Sequence, residues 1–224
     1  MKIVPYSGPI NLETVTDINL SQSDVGNNPW VNLYIGRLKF AFDDLSIGGG
    51  NSAISLCHVY DSHMAPQFEK KIIGLGNKWR LNLTQIVLRD NWDADGNSIY
   101  KYIDEMGTIH RLVSFSGGWY DDCNAKTVLK QQGDYFELTD GVGNRLRFDK
   151  NGYLCENYSC HSDSICKVYK YDQNRLISVY DKRTWSESKQ LARTRIELEY
   201  DDNDLLTSMT SYGDYTTRLE KLEY

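Results

Sequence analysis

The sequence lacks most of the signals that announce a function. Only four of its 224 residues are proline, and no apolar run approaches the ~18 residues of a membrane-spanning helix. Basic runs are absent too: Lys70-Lys71 is merely a pair and the net charge is −6, which excludes a nucleic-acid partner held by a basic stripe. After Met1-Lys2 come Pro5, Gly8 and Pro9, with no apolar core of a signal peptide. The five cysteines (Cys57, Cys123, Cys155, Cys160, Cys166) are an odd number, so they form no closed disulfide framework. No amphipathic helix stands out. The best candidate, Ser186 to Ala192, is polar nearly all round and reads as a loop or a single turn.

What is abundant points one way. With 16 Tyr and 17 Gly, the chain is rich in a strand residue and a turn residue, and 40% hydrophobic content suffices for a core. Residues 1–28 read as an irregular leader, with weak alternation over Ile10 to Leu20 that would allow a lone edge strand. Residues 29–90 read as an opening β segment. There Val31, Leu33 and Ile35 alternate with polar neighbours, and Leu38, Phe40 and Phe42 alternate with Lys39 and Ala41 across Gly36-Arg37.

Residues 91–224 are repetitive. An apolar run reaches an aromatic–Asp step, crosses a polar turn with Gly or Asn, and leaves through a strand containing Leu. The clearest copies are Phe148-Asp149…Gly152…Leu154, Tyr171-Asp172…Asn174…Leu176 and Tyr200-Asp201…Leu205, with looser ones at Asp104 and Asp140. Each copy predicts one hairpin. Phe148, Tyr171 or Tyr200 lays a ring on the core face, and the Asp accepts backbone N–H bonds ahead of it, as in an Asx-turn. Gly152 or Asn174 takes the left-handed turn position, and Leu176 or Leu205 re-enters the core. The aromatics Phe148, Tyr171, Tyr200 and Tyr224 recur at intervals of 23, 29 and 24 residues, room for two strands and two turns. Ile196-Glu197-Leu198-Glu199-Tyr200 is echoed by Leu219-Glu220-Lys221-Leu222-Glu223-Tyr224 without its Asp, so the sequence reads as a repeat array broken off in mid-copy. The expected fold is therefore all-β: serial antiparallel hairpins in an open, twisted or spiralling sheet, a partial shell.

These copies resemble YD repeats, the unit of Rhs, wall-associated and Tc-toxin shell proteins of bacteria. Asn28-Pro29-Trp30 to Leu38, Asp44 to Gly49, His58-Val59-Tyr60 and above all Leu75-Gly76-Asn77-Lys78-Trp79-Arg80-Leu81 are similar to the block that opens the repeat region in that family. The resemblance covers roughly residues 28–224. It implies a hollow wall around a toxin domain, a secreted or cell-surface setting, and as partner the remainder of a longer repeat protein or its toxin domain. No toxin domain or self-cleaving segment lies in these 224 residues.

Candidate chemistry is thin. Cys155, Cys160, His161 and Cys166 could suggest zinc, but the pairs have no two-residue gap, and buried or loop cysteines are the favoured reading. Asn91, Asp93, Asp95 and Gly96 match the first half of a calcium loop, yet Tyr102 stands where the bidentate Glu belongs, so a polar hairpin turn is expected. A glycosidase would need two convergent carboxyl groups, whereas nearly every Asp sits in a turn. No Gly-x-Ser-x-Gly elbow accompanies the histidines, and Gly48-Gly49-Gly50 lacks a following Lys and helix. No enzyme, metal or cofactor is expected. The alternative is a carbohydrate-binding β module stacking sugars on Trp119 and Tyr120.

Overall fold

The computed structural model describes residues 17–19, 30–32, 36–49, 53–64, 75–93, 95–123, 126–158 and 164–223. Among these the chain is antiparallel β nearly throughout, with one 3-10 turn at Lys182–Thr184 and no helix long and apolar enough to cross a membrane.

The first sheet has five strands in chain order: β1 (Asp17–Asn19), β2 (Trp30–Asn32), β3 (Arg37–Ile47), β4 (Ile54–Asp61) and β5 (Trp79–Leu81). The lone edge strand allowed by the alternation before Leu20 corresponds to β1; the rest of the leader, 1–16 and 20–28, lies outside the described residues. A bulge at Asp44 pairs Asp43 with Cys57 but Leu45 with Leu56, so the β3 pattern changes face there. Before it, Arg37, Lys39 and Ala41 share one buried face; after it, Leu45 and Ile47 enter the core from the other. Phe40 and Phe42, on the face opposite Lys39, are half-buried.

The second sheet begins at residue 86, upstream of position 91, where the repetitive pattern starts. Its early strands are β6 (Ile86–Trp92), β7 (Ser98–Ile103), β8 (Ile109–Phe115), β9 (Gly118–Asp121) and β10 (Val128–Gln132). Next come β11 (Tyr135–Thr139), β12 (Arg145–Phe148), β13 (Leu154–Tyr158), β14 (Ile165–Asp172) and β15 (Arg175–Asp181). Two short strands, β16 (Trp185–Ser186) and β17 (Leu191–Ala192), pair only with each other, so the segment expected as a loop or single turn is a small flap. The chain then returns as β18 (Arg195–Tyr200), β19 (Leu206–Tyr212) and β20 (Arg218–Glu223). All 13 strands are neighbours in chain order once the flap is skipped. Serial hairpins, as the sequence predicts, build the sheet.

The sheet curls. Ile86 of β6 bridges Tyr153, Val87 N–H donates to Gly152 O at 2.8 Å, and Leu154 N–H donates to Gln85 O at 3.3 Å. The first strand thus meets the corner before β13, and β14 to β20 continue past that seam, so the sheet coils without closing as a barrel. The hairpin β3–β4 lies against β19 and β15. Leu45, Ile47, Ile54 and Leu56 join Leu112, Leu129, Leu138, Phe148, Leu154, Leu176, Ile196 and Met209 in one apolar core spanning both sheets.

Candidate functional site: aspartate corners and a buried ion network

Five hairpin ends share one hydrogen-bond pattern, anchored on Asp93, Asp104, Asp140, Asp149 and Asp201. In each, the Asp N–H donates to the carbonyl four residues on, and the N–H three residues on donates back to the Asp carbonyl. The carboxylate Oδ1 accepts the N–H groups two and four residues ahead, at 2.7–3.0 Å. A short acidic side chain is required because it must reach both donors within one turn. The residue three after the Asp is left-handed in every case: Gly96, Gly107, Gly143, Gly152 and Asp204, with φ of 81, 75, 92, 88 and 63°. At Gly152 space is a second reason for glycine, since a Cβ there would lie 1.9 Å from Val87 O across the seam.

Three aromatics occupy equivalent strand ends. Phe148 pairs with Leu154, Tyr171 with Leu176 and Tyr200 with Leu206, each just after a register shift in the ladder. Phe148 and Leu176 are fully buried, and the half-buried Tyr200 anchors its hydroxyl on Leu176 O at 2.8 Å. Leu205 is not the core residue of its copy: it is 46% exposed, and Leu206 takes the inward place. The corner consumes five residues from Asp201 to Leu205, which moves the first inward side chain one position on. Asp172 also departs from the expected pattern. Its corner is a two-residue turn in which Gln173, not Asn174, is left-handed (φ 54°), and the Asp172 carboxylate pairs with Arg175 at 2.6 Å.

Three further aspartates, each after a Tyr, were not singled out by the repeat pattern. Asp61, Asp121 and Asp181 end β4, β9 and β15, and each accepts the N–H two residues on at 2.9–3.0 Å. Their own N–H groups donate to Lys78 O, Thr127 O and Thr194 O, further along the chain than in the five closed corners. They are corners of the same kind, opened out. The dipeptides Tyr60-Asp61, Tyr120-Asp121 and Tyr180-Asp181 carried the signal, but Met64 and Thr184 stand third after Asp61 and Asp181, and only Asp121 has an Asn, Asn124, at that place in the sequence. Unlike Asp93, Asp140 or Asp201, these three are 1–3% exposed.

Buried acids need partners, and at the joint between the sheets they have them. Arg37 forks onto Asp61, with Nε–Oδ1 at 2.8 Å and a second contact from Nη2 to Oδ2. The same Nη2 donates to Gly107 O at 2.9 Å, and Lys39 Nζ donates to Thr108 Oγ1 at 3.0 Å. The Asp104 corner of the second sheet is thereby held in the charged face of the first. Beside it the buried Arg80 donates from Nη2 to Thr84 O at 2.9 Å. On the far side, His110 bridges two corners, Nδ1 to Asp121 Oδ2 at 2.8 Å and Nε2 to Asp104 Oδ2 at 3.2 Å. Burial works against the imidazolium, but the bonds and charges of Asp104 and Asp121 outweigh it and lift His110 to about 9. Burial likewise opposes the Asp104 carboxylate, and His110, the Thr108 N–H and Arg80 hold it below its ordinary range.

The candidate ligand sets look different in place. Asp93 spends its carboxylate on Asp95, Asn97 and the Asn97 side chain, and Tyr102 is buried with its hydroxyl on Gln85 Oε1 at 2.5 Å; the calcium-like loop is a hairpin corner. Cys155, pushed up to about 11 by burial and then by Glu156 and Asp149, donates its thiol to Arg147 O. Cys166 is buried, and Cys160 and His161 lie outside the described residues. Asp121, Asp122 and Cys123 bring donor atoms within 4.8 Å of one another, but Asp121 and Asp122 are engaged by His110 and Arg111.

Trp119 and Tyr120 are successive residues of β9 and so face opposite sides of the sheet. Trp119 donates Nε1–H to Ser98 O at 2.7 Å and meets Tyr100 edge-on, while Tyr120 packs on Phe115. They form no common platform. A larger ring cluster, Phe40, Phe42, His58, Tyr60 and Trp79, covers one face of the first sheet, but apart from the Phe42–His58 pair its rings are tilted by 37–58°. Against known proteins, no family model matches this chain and no curated protein matches its sequence.

Proposed function

We propose that the chain is a non-enzymatic structural segment of a YD-repeat type protein, supplying hairpin wall to a shell. One observation carries this reading: aromatic–Leu pairs recur beside the corners at equivalent strand ends, in a sheet that coils past its own first strand. Serial hairpins with interchangeable corners can be extended without a new design, which suits a wall. The corner aspartates serve it as turn-formers, with Oδ1 accepting backbone N–H groups of their own turns.

The test is made on the native protein. An antibody raised against this chain should detect, in the source organism, a longer polypeptide with a protease-resistant part that contains these hairpins. Detection of only a free 224-residue species would overturn the proposal.

A further inference from the structure

Where β6 leaves the seam, a cleft of about 590 Å³ opens between its outer half, β7, Phe136 of β11 and residues 150–152. Its volume is in the range of binding pockets. Its charge is unusual for this molecule: in a chain of net charge −6, the lining carries Arg89, Lys101 and Lys150 against a single acid, Asp90. Lys101 is neutralised by Asp90 at 2.9 Å. Arg89 and Lys150 make no ion pair among the described residues. The Arg89 guanidinium lies 3.9 Å over the ring of Trp92, itself 56% exposed, which positions its N–H groups without consuming them.

The backbone supplies the second half of the argument. Val87 turns its N–H to Gly152 across the seam, so its pairing with Tyr102 is of the non-hydrogen-bonded kind. Two residues on, Arg89 pairs with Tyr100 and turns its own N–H and C=O the same way, past the end of the corner, where no described strand meets them. A bulge at Asp90 then bends the edge away. Beneath lie the rings of Tyr100 and Phe136, 5.3 Å apart. Two uncommitted cations, an open backbone donor and acceptor, and an apolar floor thus meet at one place.

We propose that this cleft binds an extended, acidic segment of a partner polypeptide. The segment adds to the edge of β6 at Arg89, a carboxylate side chain lies between Arg89 and Lys150, and a neighbouring apolar side chain rests on Tyr100 and Phe136. The mode is strand addition with a charge lock. It is independent of whether the chain belongs to a shell.

The probe is a fluorescently labelled octapeptide of alternating Glu and Leu, titrated against the intact chain by anisotropy at low and high salt. Binding is expected at low salt and should weaken as salt rises. The Arg89→Glu/Lys150→Glu variant, changed at two exposed positions, should bind at least about tenfold more weakly with an unchanged urea midpoint. A Lys–Leu octapeptide should not bind, and N-methylation of the central residues should weaken the Glu–Leu peptide. Failure of the Glu–Leu peptide to bind at about 1 mM, or binding indifferent to the charge reversal, overturns the proposal. So does free glutamate binding as tightly as the peptide, or self-association of the chain abolished by the same variant, which would give the cleft to a second copy.

Discussion

The corners of the outer repeats and the corners at the joint between the sheets use one local geometry in opposite surroundings. Asp140 and Asp201 are partly exposed, and their oxygens bond only to their own turns. Asp61 and Asp121 form the same i+2 bond inside the protein, and Asp104 repeats the full corner beside them; all three are tied to Arg37 or His110 as well. A turn motif tolerant of exposure thus becomes, when buried, a carrier of charge that something else must neutralise. The outer corners are modular. The joint is not, because two charge sets from two sheets depend on each other there.

The largest effect expected from breaking this contrast is at Asp61. Asp61→Ala removes the carboxylate on which the buried Arg37 forks, and removal of one partner of a buried pair costs about 3–5 kcal/mol. Urea unfolding should show it, and the second sheet should loosen around Thr108 and Gly107 in hydrogen exchange, since Arg37 and Lys39 hold that corner. If Asp61→Ala is no more harmful than the same change at Asp140, the joint is not the dependent element described above.

Glycines at one corner position divide the same way. Gly96 and Gly152 share the left-handed conformation, but a Cβ at Gly96 meets nothing within 4 Å whereas one at Gly152 meets the Val87 carbonyl at 1.9 Å. Gly96→Ala should therefore cost about 1 kcal/mol, the price of the left-handed backbone alone. Gly152→Ala should cost about 3 kcal/mol or more, because β6 must move and the seam opens. Thermal unfolding of the two variants, with exchange protection of the Val87 amide, separates them. Equal losses would mean that the seam contributes nothing.

How much of this was legible in the sequence follows from where the information resides. The hairpins at Asp149 and Asp201 could be read because the whole corner lies within five consecutive residues, and a local hydrogen-bond pattern leaves a local signature. The misplacement of Leu205 came from the length of that corner, which the residue types alone do not fix. Asn174 was expected to be left-handed on propensity, yet the two-residue hairpin placed Gln173 there instead. Asp61, Asp121 and Asp181 were missed because their backbone partners, Lys78, Thr127 and Thr194, lie six to seventeen residues away. The bridge from His110 to two corners, and the cleft beside Arg89, depend on strands brought together by the curl, and no short window contains them.

The effect most diagnostic in sign concerns pH. His110 titrates at about 9 in the folded chain, against an ordinary value near 6.5 when unfolded. A raised folded value contributes stability that is complete below the unfolded value and is lost as pH climbs through the folded one. Wild type should therefore lose on the order of 2 kcal/mol between about pH 6.5 and 9.5, followed by urea midpoints. His110→Gln can still donate to one corner but carries no charge, so it should start less stable and show a flatter profile across that window. The outer corners give the opposite dependence, since the Asp140 carboxylate is held low, burial being outweighed by the N–H groups of Asn144 and Val142, and its contribution fades only in acid. An alkaline loss of equal slope in His110→Gln would locate the titrating group elsewhere and break the distinction between the joint and the outer repeats.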